Sequence, residues 1–496
     1  MLEDIGKEPY SLIVDESTDI SANKQLCVVF RYFSRKLERI VTSFAGIVSL
    51  PAGDSHSIAT ALFKFLKENK LEVERCIGLA TDGYNTMCGK NNSVPTKFRE
   101  VNPKIVYIKC VCHSLQLCAS KAMDVLPRNI EYMVSQTYSW FSHSTQRQNK
   151  YRDLYATINV GEAPLKILQL SDTRWFAISQ CVDRVLSQYE ELKLHFQLTK
   201  DTERNYNAEL LCQMYSDPVN RMYLVFLQPL VTEVNRINKL FQLDSANPAK
   251  LLADLMTFYR ILIQRIMKPH DFPTWSSVMD FDITSDRNSL PLSAVDFGIK
   301  FQLELSESKI EPQKAEDIKR RCRDYMFEFL KEIKQRLPPN IHQLESLAVL
   351  SPSVVLSSKK PQLANLSFLP LYNGDLGKLE QQWRALNNVH WEHTEDNQTE
   401  EFWVEVAKHT DAAGDKDFTE LGRFALSLLA LPFSNASVER AFSQMALIKT
   451  KLRNRMQEKL LENILRVRAY MQRNKCCYNQ FQAIQSNAVT VYRRHL

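Results

Sequence analysis

Hydrophobic positions follow two rhythms along the chain. Ser11 to Val14 is a short apolar run ending at Asp15, and Gln25 to Phe33 and Arg39 to Val48 are rich in Val, Ile, Phe and Tyr. Runs of this kind form strands, so the first fifty residues predict a three-strand meander. From Ser55 to Asn69 the period lengthens, with Ile58, Ala61, Leu62 and Phe65 at helical spacing. Arg75 to Thr81 is a compact apolar strand ending at Asp82. A helix from about Asn85 to Val101 and a strand from Ile105 to Cys110 follow. The order predicts a mixed sheet with helices packed on it.

Beyond Trp175 the helical rhythm takes over. Gln180 to Gln197, Pro218 to Leu243, Lys250 to Met267 and Pro312 to Leu337 carry apolar residues at i, i+3, i+4 and i+7. From Ser357 to Glu400 the chain turns polar and irregular, with Pro361, Pro370, Asn373-Gly374 and an acidic stretch from Glu392 to Glu401. Leu421 to Ala430 is an almost continuous apolar helix ended by Pro432. A new helix starts near Ser434 to Ser437, with Val438, Ala441, Phe442, Met445 and Ile448 as its apolar stripe. The fold class is therefore α/β plus α: a mixed sheet interrupted by a large all-helical insertion. The expected boundaries are 8–175 for the first part of the sheet domain, 176–356 for the helical insertion and 357–400 for a polar connector. The core returns over 401–475, and 476–496 is a tail.

Composition narrows the function classes. With 44% hydrophobic and 24% charged residues among 496, the chain can bury a sizeable core. No stretch approaches the roughly 20 apolar residues that a bilayer span needs, so no membrane partner is expected. Glycine is scarce, at 12 residues, and no glycine-rich phosphate loop, GxSxG turn or HExxH pair occurs. This argues against a P-loop or dinucleotide enzyme and against a small-molecule cofactor. Eleven cysteines, mostly scattered, suit a reducing compartment. The net charge of +6 permits a polyanionic partner, and the charge is unevenly spread. From Arg440 to Lys475 basic residues, among them Lys449, Lys451, Arg453 and Arg455, outnumber Glu458 and Glu462. Such a segment is either a solvated helix face or a track for a phosphate backbone.

Two carboxylates stand at strand ends: Asp15 in Val14-Asp15-Glu16-Ser17-Thr18 and Asp82 in Thr81-Asp82-Gly83-Tyr84-Asn85. Alone, each is an ordinary turn former accepting nearby backbone N–H groups. Together they could converge on divalent magnesium or manganese, which prefer hard oxygen ligands and in two-metal sites lie about 3.5 to 4 Å apart. Glu439 lies in the first turn of the helix entered through Ser434-Asn435-Ala436-Ser437, where a carboxylate also suits the helix dipole. Cys110, Cys112, His113 and Cys118 are close in sequence, but zinc sites pair one such group with a second, separated pair, and none is evident. No zinc is predicted, and Cys110 and His113 are a motif without an assigned role. His390-Trp391-Glu392-His393, in the polar connector, is taken as surface.

Five of these segments in order resemble the hAT superfamily of DNA transposases: Val14-Asp15-Glu16-Ser17-Thr18, Thr81-Asp82-Gly83-Tyr84-Asn85-Thr86-Met87, Cys110-Val111-Cys112-His113, Asp172-Thr173-Arg174-Trp175 and Ser437-Val438-Glu439-Arg440-Ala441-Phe442-Ser443. The resemblance spans residue 11 to about residue 456. It implies a ribonuclease-H-like core split by the helical insertion, whose element order the first 110 residues already follow. It implies that Asp15, Asp82 and Glu439, the DDE triad, are catalytic and hold Mg or Mn for phosphodiester cleavage. It places Arg174 and Trp175 against DNA, Trp175 stacking on an unpaired base, a contact worth about 1 to 3 kcal/mol. About Leu421 to Tyr470 would be a dimerisation region, making Phe424, Leu426, Leu428, Leu429, Val438 and Phe442 structural and a homo-oligomer the expected state. Active members resemble this chain plus an N-terminal zinc finger of the BED type, and no Cys-x2-Cys…His-x-His pattern precedes Asp15. The matches most resemble animal zinc-finger-BED and zinc-finger-MYM proteins of transposon origin. The expected function is that of a transposon-derived nuclear protein that dimerises and contacts DNA or chromatin; active metal-dependent strand cleavage and transfer is the alternative.

Overall fold

The computed structural model describes residues 1–496 except 19–22, 84, 90–91, 170–174, 245, 338–340, 451–452, 478 and 480–496; the side chains of 85, 88, 175–177, 342 and 343 also lie outside the described residues. The described chain forms two compact units, one of Met1–Cys110, Asp244–Lys250 and Gln343–Leu496, the other of Val111–Leu243 and Leu251–His342.

In the first unit the strands appear where apolar alternation places them. β1 (Tyr10–Thr18), β2 (Lys24–Ser34) and β3 (Arg39–Ser49) make an antiparallel meander. β4 (Cys76–Thr81) and β5 (Val106–Lys109) extend it in parallel on the β1 side, giving the order β3-β2-β1-β4-β5. Side chains alternate between the faces. Leu12, Val14, Leu26, Val28, Phe30 and Leu79 bury one face under helix α1 (Ser55–Glu68), through Ile58, Leu62 and Leu66, and under α2 (Val94–Val101), through Val94 and Phe98. The single helix expected over 85–101 is two pieces, Asn85–Cys88 and α2, because Ser93 N–H donates to Thr96 Oγ1 at 2.9 Å to start a new helix and Pro95 sits in the first turn, where its missing N–H costs nothing.

The opposite face, carrying Ile13, Cys27, Val29 and Ala80, is covered from the far end of the chain. Four helices return there: α3 (Thr399–Lys408), α4 (Thr419–Leu429), α5 (Ala436–Ile448) and α6 (Glu458–Arg473). Val438 of α5 is fully buried against that face, flanked by Ala441 and Phe442. α4 is apolar almost all round and buried accordingly, Phe424, Leu426, Leu428 and Leu429 included. Two glycines make these approaches possible. A Cβ on Gly422 would stand 2.6 Å from Ala407 backbone atoms of α3, and one on Gly78 would stand 2.7 Å from Leu431 and Ser11 side-chain atoms. Edge strand β3 is not left bare: its Ile40 N–H donates to Glu400 at 2.6 Å, and Ser49 Oγ donates to Glu458 of α6 at 2.6 Å.

The stretch expected to be an open polar connector is anchored by two buried indoles. Trp383, in the helix Leu376–Ala385, donates to Pro361 O at 3.0 Å, and Trp391 donates to Leu386 O at 2.7 Å. The reading of His390–His393 as surface is corrected for Trp391, which packs on Phe402 and Phe418, while His393 pairs with Glu405 at 2.9 Å. Polar neighbours hid an apolar anchor.

The second unit is helical and begins at Val111, earlier than the periodicity beyond Trp175 suggests. The expected helices appear as Pro218–Gln242, Pro248–Ile266 and Pro312–Arg336. The one expected over 180–197 breaks into Trp175–Leu186 and Tyr189–Glu203. Buried Gln188 sits at the break, donating to Leu165 O and Arg184 O and accepting from Tyr151. His195 is buried among Trp140, Phe141, Tyr151 and Phe196, its Nε2 accepting the Trp140 indole N–H at 3.2 Å.

Candidate functional site: carboxylates on the sheet and a basic C-terminal surface

Strand register brings the first two candidates together. Parallel pairing of β1 with β4 ends at Ile13↔Ala80, and continuing it by two residues sets Asp15 opposite Asp82. Both then project from the face that carries Ile13 and Ala80, the face covered by α5. Asp15 lies inside β1 rather than at its exit, because Glu16, Ser17 and Thr18 keep pairing with β2. Glu439 enters from above, in the first turn of α5 one residue after buried Val438. Asn435, at the start of that helix, fixes its seat: its N–H donates to Cys110 Sγ at 3.3 Å and its Nδ2 to Val14 O at 3.5 Å. The side chain therefore ties α5 to β1 instead of capping its own helix.

The electrostatics register the convergence. Burial pushes the Asp15 carboxyl up to about 8, helped by the negative charge of Asp82, the Cys110 thiol and the charge of Glu439, against one backbone hydrogen bond from Glu16. Asp15 thus feels both other carboxylates. Their hard oxygen donors suit magnesium or manganese. Among the described residues, however, no three His, Cys, Asp or Glu side chains are grouped closely enough to hold a metal ion, so the carboxylates are neighbours rather than a closed ligand set.

The remaining candidates fall elsewhere. Arg174 and the side chain of Trp175 lie outside the described residues; the backbone of Trp175 opens the helix Trp175–Leu186. Cys110 is buried beside Asp15, and His113 is half-buried in the helix Val111–Met123 of the second unit. Lys449 is corrected: it is only 5% exposed, at the end of α5 where Met445 and Ile448 pack on Leu461 and Leu465, so it is not on the solvent-facing basic strip. Lys451 lies outside the described residues, whereas Arg453 and Arg455 are exposed, as are Lys459, Arg466 and Arg468 along α6. Asn435 was missed because Ser434-Asn435 before a helix reads as a cap.

Two segments of the chain match known families. Residues 1–93 match the ZMYM1/FAM200, RNase-like domain, and residues 384–471 match the hAT family C-terminal dimerisation region. Together the two matches are consistent with a hAT-type transposase or a protein derived from one. The first match covers β1 to β4, hence Asp15 and Asp82, and the second covers α3, α4, α5 and all but the last two residues of α6, hence Glu439. The RNase-like segment and the dimerisation-type segment share one hydrophobic core, since Val438 is buried against Ile13, Cys27, Val29 and Ala80.

Proposed function

We propose that this is a transposase-derived nuclear protein that self-associates through the segment 384–471 and holds nucleic acid on the basic surface of Arg453, Arg455, Lys459, Arg466 and Arg468. What carries the reading is the joint core: a dimerisation-type segment built directly onto an RNase-like sheet makes self-association and the sheet surface parts of one body. In this reading the finer architecture is a ribonuclease-H-like domain whose polypeptide is interrupted by the helical unit. Leu447 of α5 and Leu460 of α6, 76% and 53% exposed, are apolar side chains available to a second copy. Each exposed cation that reaches a phosphate releases counterions, so binding weakens with salt by about 0.9 in log–log slope per contact.

The experiment is sedimentation of the full chain together with duplex binding across a salt series. A dimer is expected, reduced to monomer by Leu447→Asp with Leu460→Asp, along with a salt slope that falls by about 2 when Arg453 and Arg455 become Gln. A monomer at tens of micromolar with salt-independent binding would sink the proposal.

A second reading, metal-dependent phosphodiester cleavage, is favoured by one observation: Asp15 lies near Asp82 and Glu439, and burial, aided by the charges of both, raises its carboxyl to about 8. A divalent cation there would supply the missing positive charge and Lewis acidity toward a phosphoryl oxygen. Asp15 and Asp82 would hold it from adjacent strands and Glu439 from α5. Magnesium-dependent nicking of DNA carrying terminal inverted repeats, abolished by Asp82→Asn, is the expected result; no nicking with either magnesium or manganese rejects this reading.

A further inference from the structure

A cavity of 260 Å³ lies within the first unit, between β3, α5 and α6, and its lining is strongly cationic. Arg39, Arg440, Arg473 and Lys475 line it against one carboxylate, Asp244. Arg440 is the cation already balanced, its Nη2 lying 2.9 and 2.7 Å from the two Asp244 oxygens. The lining side chains carry a net charge of +3, with Glu400 beside Arg39 and Asp4 near Arg473 outside the lining, in a recess where burial strengthens electrostatic attraction.

The hydrogen-bonding donors are also incompletely used. Arg473 Nε is buried without a partner, although its Nη1 donates to Tyr32 at 3.4 Å. Ser437 Oγ, on the α5 wall of the same cavity, is buried without a partner too. Behind the lining, Arg31 donates through Nη1 to the cavity-lining Thr42 at 3.1 Å, while its Nε has no partner. Buried donors are normally satisfied, and an unmet one costs about 1 to 3 kcal/mol, so three around one recess point to a missing acceptor. Arg39 is partly engaged, donating through Nη2 to Arg473 O of α6 at 2.7 Å.

We propose that this cavity binds a phosphate group. The fit is chemical: guanidinium forks and a hydroxyl match tetrahedral oxygens, and the surplus of charge matches a dianion better than a single carboxylate. Arg473 and Ser437 are the donors to the phosphate, and Lys475 supplies charge at the rim. The group is either free phosphate or the terminal phosphate of a nucleic acid strand. The site is separate from the carboxylates and holds or fails whether or not those bind metal.

Isothermal titration of the full chain with inorganic phosphate, in chloride at matched ionic strength, tests it. Saturable binding of one phosphate per chain is expected, weakened at least tenfold by Arg473→Gln and about threefold by Lys475→Gln, an exposed position whose change leaves the fold intact by circular dichroism. A 5′-phosphorylated oligonucleotide that competes with phosphate, where its 5′-hydroxyl counterpart does not, assigns the group to a strand end; failure of both to compete assigns it to a free ligand. The proposal is overturned if the folded chain shows no saturable phosphate binding, or if both variants bind with unchanged affinity.

Discussion

Two regions of opposite charge lie on the same sheet face beneath the same helix. At one, Asp15 and Asp82 leave β1 and β4 beside Glu439. At the other, Arg39, Arg440, Arg473 and Lys475 surround a cavity. α5 serves both by ordinary helical geometry: Ser437, Arg440, Ala441 and Gln444 share the cavity side, Val438 packs on the sheet, and Glu439 turns toward the carboxylates. Strand β2 measures the separation, with Cys27 opposite Asp15 and Arg31 four residues on, about 13 Å at the usual rise. That slightly exceeds a Debye length of roughly 10 Å at 0.1 M salt, so exposed parts of the two regions are screened from each other although α5 contributes side chains to both. Charge of both signs on one face is therefore a consequence of packing one short helix, and each region can be disturbed alone.

The largest effect is expected from breaking both at once. Val438→Asp puts an unpaired charge at a fully buried position between α5 and the sheet and should cost about 3 to 5 kcal/mol in denaturant unfolding. A loss below about 1 kcal/mol would show that this contact does not hold the helix. The helical unit supplies a control that neither region should touch. Burial depresses His195 from 6.5 to about 4, so the folded state disfavours its charged form. Its contribution is therefore fully present above pH 6.5 and is lost as pH falls toward 4, by on the order of 3 kcal/mol. His195→Gln should flatten that acid slope, and an unchanged slope assigns it to other groups.

Smaller effects separate the two charged regions. Asp15→Asn removes the cost of neutralising a carboxyl that folding raises to about 8, and should raise stability by about 1 to 3 kcal/mol in chelator at neutral pH, while leaving phosphate binding unchanged. A destabilised variant would mean that the carboxylates already have a compensating partner. Arg455→Gln, at an exposed position, should change stability by less than about 0.5 kcal/mol and lower the salt slope of nucleic-acid binding by about 0.9. Binding lost equally at all salt concentrations would point to a structural role instead.

Much of this was legible in one dimension. β2 to β5 and the helices Pro218–Gln242 and Pro312–Arg336 fall within a residue or two of the apolar pattern, because period follows directly from backbone geometry, whereas β1 runs three residues past Asp15 through the polar Glu16, Ser17 and Thr18. Trp391 and Lys449 were misplaced for the converse reason: each sits in a polar neighbourhood, and burial depends on what packs over a residue rather than on what adjoins it. The cationic cavity was half visible, since Arg440, Arg473 and Lys475 belong to the basic run, but Arg39 lies some four hundred residues earlier.

By itself the sequence determined the strands and helices, the three carboxylates and the resemblance that the RNase-like and dimerisation segments bear out, all of which depend on neighbours along the chain. Only the tertiary structure decided that Glu439 faces Asp15 across more than four hundred residues, and that Arg39 meets Arg473. Those meetings follow from strand register and from the burial of Val438, and register and burial are properties of surfaces that exist only once the chain has folded.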